Sequence, residues 1–339
     1  MNLQTLNHFP KELEHEWNAL LARSTTNVPF LRFGYLEKWW QTMGGGEWDS
    51  GELFIHLGYE GEKLIGIAPL FRTVKEGKPI VAFIGSVEIS DYLDIIATPE
   101  DYREFLAALL EHLGNEDPAV WEKVVFANVP ESSPFLSLFA ESTISNANIL
   151  LEKTFSAPLL SLPSNWEEYL AGLDKKQRHE IRRKIRRVQQ EAVDQRFYFV
   201  EGNQALPQYG NAFLDLMKED DAKKEFLSPS MQEAMLAIMN WGDDEGILRL
   251  CFLDINGVTA AGYFCFDDGN TISIYNSGFK NDMQYFSPGW VLLSYLIEWA
   301  IKNSREKIDF MRGSESYKYK FGGVDTTLYQ GSIERITKS

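Results

Sequence analysis

Fifteen residues near the C-terminus, Asp309 to Gly323 (DFMRGSESYKYKFGG), gather an Asp, an Arg, a Glu, two Lys, two Tyr and three Gly. That glycine content disfavours a surface helix, and that charge disfavours a core strand. The segment follows a strand-like run, EKIDF, so Arg312 and Gly313 fall just past a strand end. Open α/β sheets bind ligands beside the carboxyl ends of their strands. Arg312 and Lys318 suit a phosphate or a developing oxyanion, and Tyr317 or Asp309 suits proton transfer. Ser314 or Ser316 can start a short helix carrying Tyr317, Lys318, Lys320 and Phe321. The same residues also suit a loop tied down by salt bridges.

Two further stretches could hold an anion. In SPGWVLLSYLIEWAIKN, Ser287 suits a helix N-cap and Pro288 the first helical position. A helix start has unpaired N–H groups that favour phosphate, although a well-capped helix accounts for the same residues. Between Lys175 and Arg187 lie eight Lys or Arg and one acid, Glu180. Ile181, Ile185 and Val188 share the core-facing stripe of that helix. Arg178, Arg182 and Arg186 form one row beside it, and Lys175, His179 and Arg183 the next. Like charges four residues apart repel. Their concentration points to phosphates of a cofactor, an acidic carrier protein or RNA, or else to a solvated face paired with acids elsewhere.

The rest of the sequence excludes several classes. The 339 residues carry a formal charge of −16, which works against non-specific nucleic-acid binding. His8, His15, His56, His112 and His179 show no metal-ligand spacing, and neither GxSxG nor GxxxxGK[ST] occurs, so no metal is expected. Cys251 and Cys265 form no disulfide framework, which suits a reducing compartment. The N-terminus lacks a signal-peptide pattern, and the longest apolar helix candidate is broken by Glu298. A cytoplasmic protein is expected.

The elements that must position these residues recur in two halves. ELFIHLGYEGEKLIGIAPLFR and ILRLCFLDINGVTAAGYFCFDD each read as two strands around a turn, Glu60-Gly61 and Asn256-Gly257. A second Gly follows five residues on in both, Gly66 and Gly262. Further strands follow, PIVAFIG and DYLDIIA in the first half and TISIYNSGF in the second. Then come an amphipathic helix, a short strand (EKVVFANV, EKIDFMRG) and a final strand (APLLSL, TTLYQGSIERI). Two tandem halves are expected, residues 1–163 and 164–339, each a mostly antiparallel mixed sheet flanked by helices, an α/β (α+β) fold. Ser164 or Asn165 would cap one helix spanning 166–193.

The run DFMRGSESYKYKFGG resembles the closing signature of the CelD-type, cellulose-biosynthesis-associated acetyltransferase domain. That domain has Asp-Phe, then Arg-Gly, then Tyr-Lys-x-x-aromatic-Gly, matched here by Tyr317 to Gly322. The SPG helix start, the basic run KKQRHEIRRKIRR and the marks PFLRFGYLEKWWQTMGG, GIAPLF and DYLDIIA also fit, so the resemblance spans nearly the whole chain. The family is similar to the GNAT acyltransferases and to the Fem peptidyltransferases, which carry two GNAT-like halves.

The resemblance implies an acyl-CoA donor whose pyrophosphate lies between Tyr285 and Trp290. Gln284 and Gly289 approximate the usual GNAT pyrophosphate signature. It implies that a backbone N–H within Tyr275 to Gly278, Ser277 included, polarises the acyl carbonyl. Ser287, Gly289, Arg178 and Arg182 would hold the donor. Asp309 or Glu315 would take the amine proton, and Tyr317 would act as acid. The acceptor would be an amine, on an amino sugar or another cell-surface polysaccharide precursor. By residue type, Trp40 and Tyr92 suit stacking on a sugar or a place in the core, Asp91 and Asp94 suit holding a cationic amine or solvating a strand end, and Glu315 is a further candidate for the acceptor side. Fem relatives take aminoacyl-tRNA instead, often with a helical hairpin that is not visible here, so tRNA ranks below acyl-CoA. An acidic acyl carrier protein would suit the basic helix, and a scaffold without catalysis keeps the same fold.

Overall fold

A computed structural model describes residues 1–200 and 206–336. Residues 201–205, and residues 337–339 of the expected second half, lie outside the described residues. The chain divides into two compact units, residues 1–155 with 326–339, and residues 156–325.

The first unit runs β1 (Asn2–Leu6), α1 (Glu14–Leu21), α2 (Phe33–Gln41), α3 (Met43–Gly46), β2 (Glu52–Leu53), β3 (Ile55–Glu60), β4 (Lys63–Ala68), β5 (Leu70–Lys75), β6 (Lys78–Phe83), β7 (Ile96–Ala97), α4 (Tyr102–Asn115), β8 (Lys123–Pro130) and α5 (Phe135–Ala140), then enters β9 (Ala147–Ser161). The second runs from β9 through α6 (Trp166–Gly172), α7 (Lys175–Glu191), β10 (Gln195–Phe199), α8 (Leu206–Met217), α9 (Asp221–Phe226), α10 (Pro229–Asp244), β11 (Leu248–Ile255), β12 (Val258–Asp267), β13 (Thr271–Phe279), α11 (Pro288–Lys302), β14 (Lys307–Asp309) and α12 (Ser316–Lys320) to β15 (Val324–Arg335).

Unit 1 holds an antiparallel sheet β1-β3-β4-β7 and a second run of neighbours β15-β8-β6-β5-β2. The unit change falls inside β9, and residues 328–334 of β15, in the first unit, pair with β8. DYLDIIA, expected as a strand, is paired only at Ile96–Ala97. Unit 2 orders its strands β10-β11-β12-β13-β14-β9, antiparallel except β13 with β14, which α11 connects. Both units are thus mixed α/β with mostly antiparallel strands.

The two hairpins share a packing device but not a turn: Glu60 pairs with Lys63, so the first turns at Gly61-Glu62 and not at Glu60-Gly61, while the second turns at Asn256-Gly257. Asn256 and Gly257 both take positive φ, 53° and 74°, the geometry a two-residue hairpin turn needs. A Cβ on Gly66 would lie 2.2 Å from the Phe105 ring, and one on Gly262 would lie 2.8 Å from the Phe252 ring. The matched glycine spacing therefore marks where an aromatic ring presses on the second strand of each hairpin.

The expected helix over 166–193 is two helices. Asp174 ends the first and starts the second by accepting from Lys176 N (2.9 Å) and Gln177 N (3.0 Å). Asn165 caps α6 through Glu168 N. In α7 the stripe is as the periodicity indicates: Ile181 and Val188 are buried, and Ile185 packs against the same core with Val291, Leu292 and Leu296 of α11.

Candidate functional site

The site in unit 2 begins with an interrupted strand pair. β13 and β14 are parallel for three residue pairs, Thr271↔Lys307, Ile272↔Ile308 and Ser273↔Asp309. β14 then stops while β13 continues to Phe279. Beyond Ser273, Ile274 and residues 276–279 of β13 pair with β12, and among the described residues β14 pairs with β13 only up to Ser273. A bulge at Tyr275 shifts the register there. Tyr275 packs its ring on Phe264 and Phe266, at 4.9 and 5.3 Å.

Gly278 is required by packing. A Cβ there would meet the Leu216 carbonyl carbon at 2.5 Å and Met217 N at 2.6 Å, backbone atoms of α8. Gly278→Ala is expected to lower the unfolding free energy by about 1–3 kcal/mol. Urea unfolding measures it, and a shift below about 0.5 kcal/mol would show that α8 yields freely.

The segment after β14 is organised by one lysine. Lys318 is 3% exposed. Its Nζ donates to the carbonyls of Met311 (3.0 Å), Arg312 (2.8 Å) and Gly313 (3.1 Å), and pairs with Glu315 Oε2 at 2.9 Å. Met311 and Gly313 both have positive φ, 58° and 114°. Three carbonyls thus converge on one ammonium, which fixes a turn that the backbone alone disfavours. Asp309, buried, accepts from Met311 N at 2.8 Å. Arg312 is half-buried and Glu315 exposed. Burial, with Glu315 nearby, pushes the Tyr317 phenol well above its usual range, so it is a protonated hydroxyl at neutral pH. Ser316 to Lys320 forms the expected short helix.

Ser287 stands at the N-cap of α11 with φ 53°, and its side chain makes no capping bond. The left-handed backbone turns the hydroxyl back toward the Gln284 carbonyl, 3.5 Å away. The Ser287 carbonyl takes the N–H groups of Trp290 and Val291, and Pro288 has none. Among the described residues no acceptor takes the Gly289 N–H, while the Gly289 carbonyl accepts from Tyr263 Oη at 3.2 Å.

Cations gather at this helix start. Lys184 Nζ lies 4.0 Å from the Trp290 ring centroid and Lys320 Nζ 5.9 Å from it. Arg187 donates to the Tyr285 carbonyl (2.6 Å) and stacks 4.7 Å from the Tyr285 ring. Burial pulls the Lys184 ammonium below the usual lysine range, against the pull of Glu180. Arg178 and Arg182 turn instead to α6, with Arg182 paired to Glu167 at 2.7 Å and Arg178 reaching the Ala171 carbonyl at 3.4 Å. Lys184, Arg187 and Lys320 were not singled out by the sequence, because helical period finds the buried stripe but not which flank meets α11.

Lys223 was also missed. It sits in DAKKEF, whose charge resembles any solvated helix. Its Nζ donates to Asn276 Oδ1 (3.0 Å) and the Ser277 carbonyl (2.5 Å), with Ser277 Oγ at 3.4 Å. Asn276 Oδ1 also accepts the Ser277 N–H at 2.9 Å.

The remaining candidates lie in unit 1. Asp91 and Tyr92 are buried, and Trp40 packs on Phe71 at 5.9 Å. Asp94 is fully buried. Thr26 Oγ1 donates to it at 2.6 Å and Ile95 N at 2.8 Å, and the Tyr102 hydroxyl also donates. Burial pushes its carboxyl up to about 6 despite those bonds. With its oxygens so occupied, Asp94 holds the unit 1 interior together. Among the described residues no His/Cys/Asp/Glu group has metal-site geometry, and no helix is long and apolar enough to cross a membrane.

Residues 175–319, which hold most of these residues but not Lys320, match the family model described as Acetyltransferase (GNAT) domain. No curated protein matches the chain. Among solved structures, the chain is similar to FemX, with TM-score 0.68 at 10% identity, covering 98% of this chain and 97% of that one. It is also similar to a conserved protein of unknown function from Bacteroides thetaiotaomicron VPI-5482, with TM-score 0.64 at 12% identity, covering 98% and 100%. A tandem GNAT protein from the clavulanic acid biosynthesis pathway gives TM-score 0.50 at 11% identity, covering 100% and 99%. The chain therefore has a tandem, GNAT-type acyltransferase fold.

Proposed function

We propose that the protein transfers an acyl group from acyl-CoA to an amine, with the donor bound in unit 2. One observation carries this reading: β13 outruns its parallel neighbour β14 at Ser273, and the chain then turns into a helix start surrounded by Lys184, Arg187 and Lys320. Residues 276–279 of β13, beyond β14, suit the amide-rich arm of the donor, which can lie along them as a short strand. The Gly289 N–H and the three cations suit its phosphates. The residues present thus fit an acyl-CoA, although the usual GNAT glycine signature is only approximated. Lys318 holds the turn that carries Arg312, Glu315 and Tyr317. Tyr317, a protonated phenol, can give a proton to the leaving sulfur, and Glu315 or Asp309 can take one from the amine.

Thermal unfolding with acetyl-CoA tests the donor. At 100 times its dissociation constant, a ligand adds about 2.7 kcal/mol. Lys184→Glu and Lys320→Glu are each expected to weaken that stabilisation and raise the donor KM at least tenfold. Stabilisation by total tRNA or an acyl carrier protein, and not by acetyl-CoA, would replace the donor assignment. Unchanged KM in both charge reversals would move the phosphates elsewhere.

A further inference from the structure

Resting on the acyl-transfer reading above, we propose that the Lys223 ammonium takes up the negative charge that forms on the acyl carbonyl oxygen. The backbone donor at this place is engaged: the Ser277 N–H of β13 is bound by Asn276 Oδ1 at 2.9 Å. Lys223 Nζ stands at the same place, on the Ser277 carbonyl and on Asn276 Oδ1. Its third contact, Ser277 Oγ at 3.4 Å, is longer than an ordinary hydrogen bond and is the one a ligand oxygen can replace.

The second line is electrostatic. Lys223 is half-buried by residue, yet no carboxylate among the described residues pairs with its Nζ within 4.0 Å. A cation drawn out of water without a paired anion is costly, and a site that forms an anion during the reaction relieves that cost. The charged groups that act on it are Asp220 at the start of its own helix and Glu315 and Lys318 on the turn after β14. Burial draws its ammonium below the usual lysine range against the two acids.

The step balances as follows. The acceptor amine forms a C–N bond to the thioester carbon, and the carbonyl π pair moves to oxygen beside Lys223. When the pair returns, the C–S bond breaks and sulfur leaves with its electrons. The proton released by the amine nitrogen goes to the Glu315 carboxylate, and sulfur takes one from the Tyr317 hydroxyl. Glu315 then restores the Tyr317 proton through solvent.

The test uses the full chain with acetyl-CoA and a panel of amino acids and amino sugars, reading kcat and KM separately. Lys223→Met and Lys223→Gln are expected to lower kcat about 100-fold with donor KM within threefold of wild type. Lys223→Arg is expected to recover part of kcat. Gln keeps a donor for the Ser277 carbonyl without the charge, so wild-type kcat in Lys223→Gln would overturn the assignment and leave a purely structural lysine. A loss confined to KM would overturn it as well. If Met and Gln both unfold, the wild-type pH profile decides: kcat should fall above a pKa lower than that of free lysine, and a flat alkaline limb would overturn the assignment. No transfer by wild type to any amine, with no stabilisation by acetyl-CoA, would overturn the acyl-transfer reading and this assignment together. Activity in wild type with normal kcat in the variants would overturn this assignment alone.

Discussion

Lys318→Met is expected to lower turnover more than 100-fold and unfolding free energy by about 4 kcal/mol. The ammonium satisfies three backbone carbonyls at once, on Met311, Arg312 and Gly313, and lies beside Glu315. Each buried acceptor left unpaired costs about 1–3 kcal/mol, partly offset by water entering the turn. Met preserves most of the stem volume, so the loss isolates the charge and its hydrogen bonds. Once the carbonyls part, the left-handed conformation at Met311 loses its reason to persist, and Arg312, Glu315 and Tyr317 lose a common frame. Urea unfolding and steady-state kinetics read the two effects. Full stability with full activity in Lys318→Met would mean that the turn is held by its packing alone.

Stability is expected to fall steeply on acidification through a single residue, His56. It is buried, its Nδ1 lies 3.0 Å from Thr5 Oγ1, and its ring lies 4.3 Å from that of Phe54 and 4.9 Å from that of His112. Burial first, and then the proximity of His112, lowers its pKa to about 3. The unfolded chain takes up this proton near 6.5, so between those values the unfolded state binds more protons and stability drops with falling pH. The penalty is absent above about 6.5, reaches about 3 kcal/mol at pH 4 and about 4 kcal/mol near pH 3. Asp94 has the opposite sign. Its raised carboxyl favours the folded state below its unfolded value and loses that benefit as pH rises through about 6. The difference between wild type and His56→Phe therefore isolates the histidine. His56→Phe should be the more acid-resistant protein in urea unfolding at pH 4 and the same or less stable at pH 7. Parallel stability–pH curves for the two proteins would refute this.

Much of the framework is legible in the sequence because it rests on local rules. Asn256-Gly257 specifies its turn through φ, Asn165 and Asp174 carry the caps, and Ile181 with Val188 marks the buried side of α7. The expected single helix over 166–193 fails for an equally local reason, since Asp174 binds the first amides of α7. The strand expected in DYLDIIA fails for a tertiary one: Asp94 is fully occupied inside unit 1 by side chains as distant in sequence as Thr26. The polar run after β14 stands out by its composition, but the three-carbonyl contact of Lys318 does not follow from it.

What the sequence by itself determined is the two matched hairpins, the helix caps at Asn165 and Asp174, the buried stripe of α7 and the charged segment after β14. These follow from period, turn chemistry and composition, which act over a few residues. What only the tertiary structure decided is which cations share a space. Lys184, Arg187 and Lys320 reach the start of α11, while Arg178 and Arg182 turn to α6. Lys223 meets Ser277, 54 positions away in the chain. The side of a helix that meets a partner, and the lysine that loses its water, depend on the packing of distant segments. No residue pattern along one segment encodes that choice.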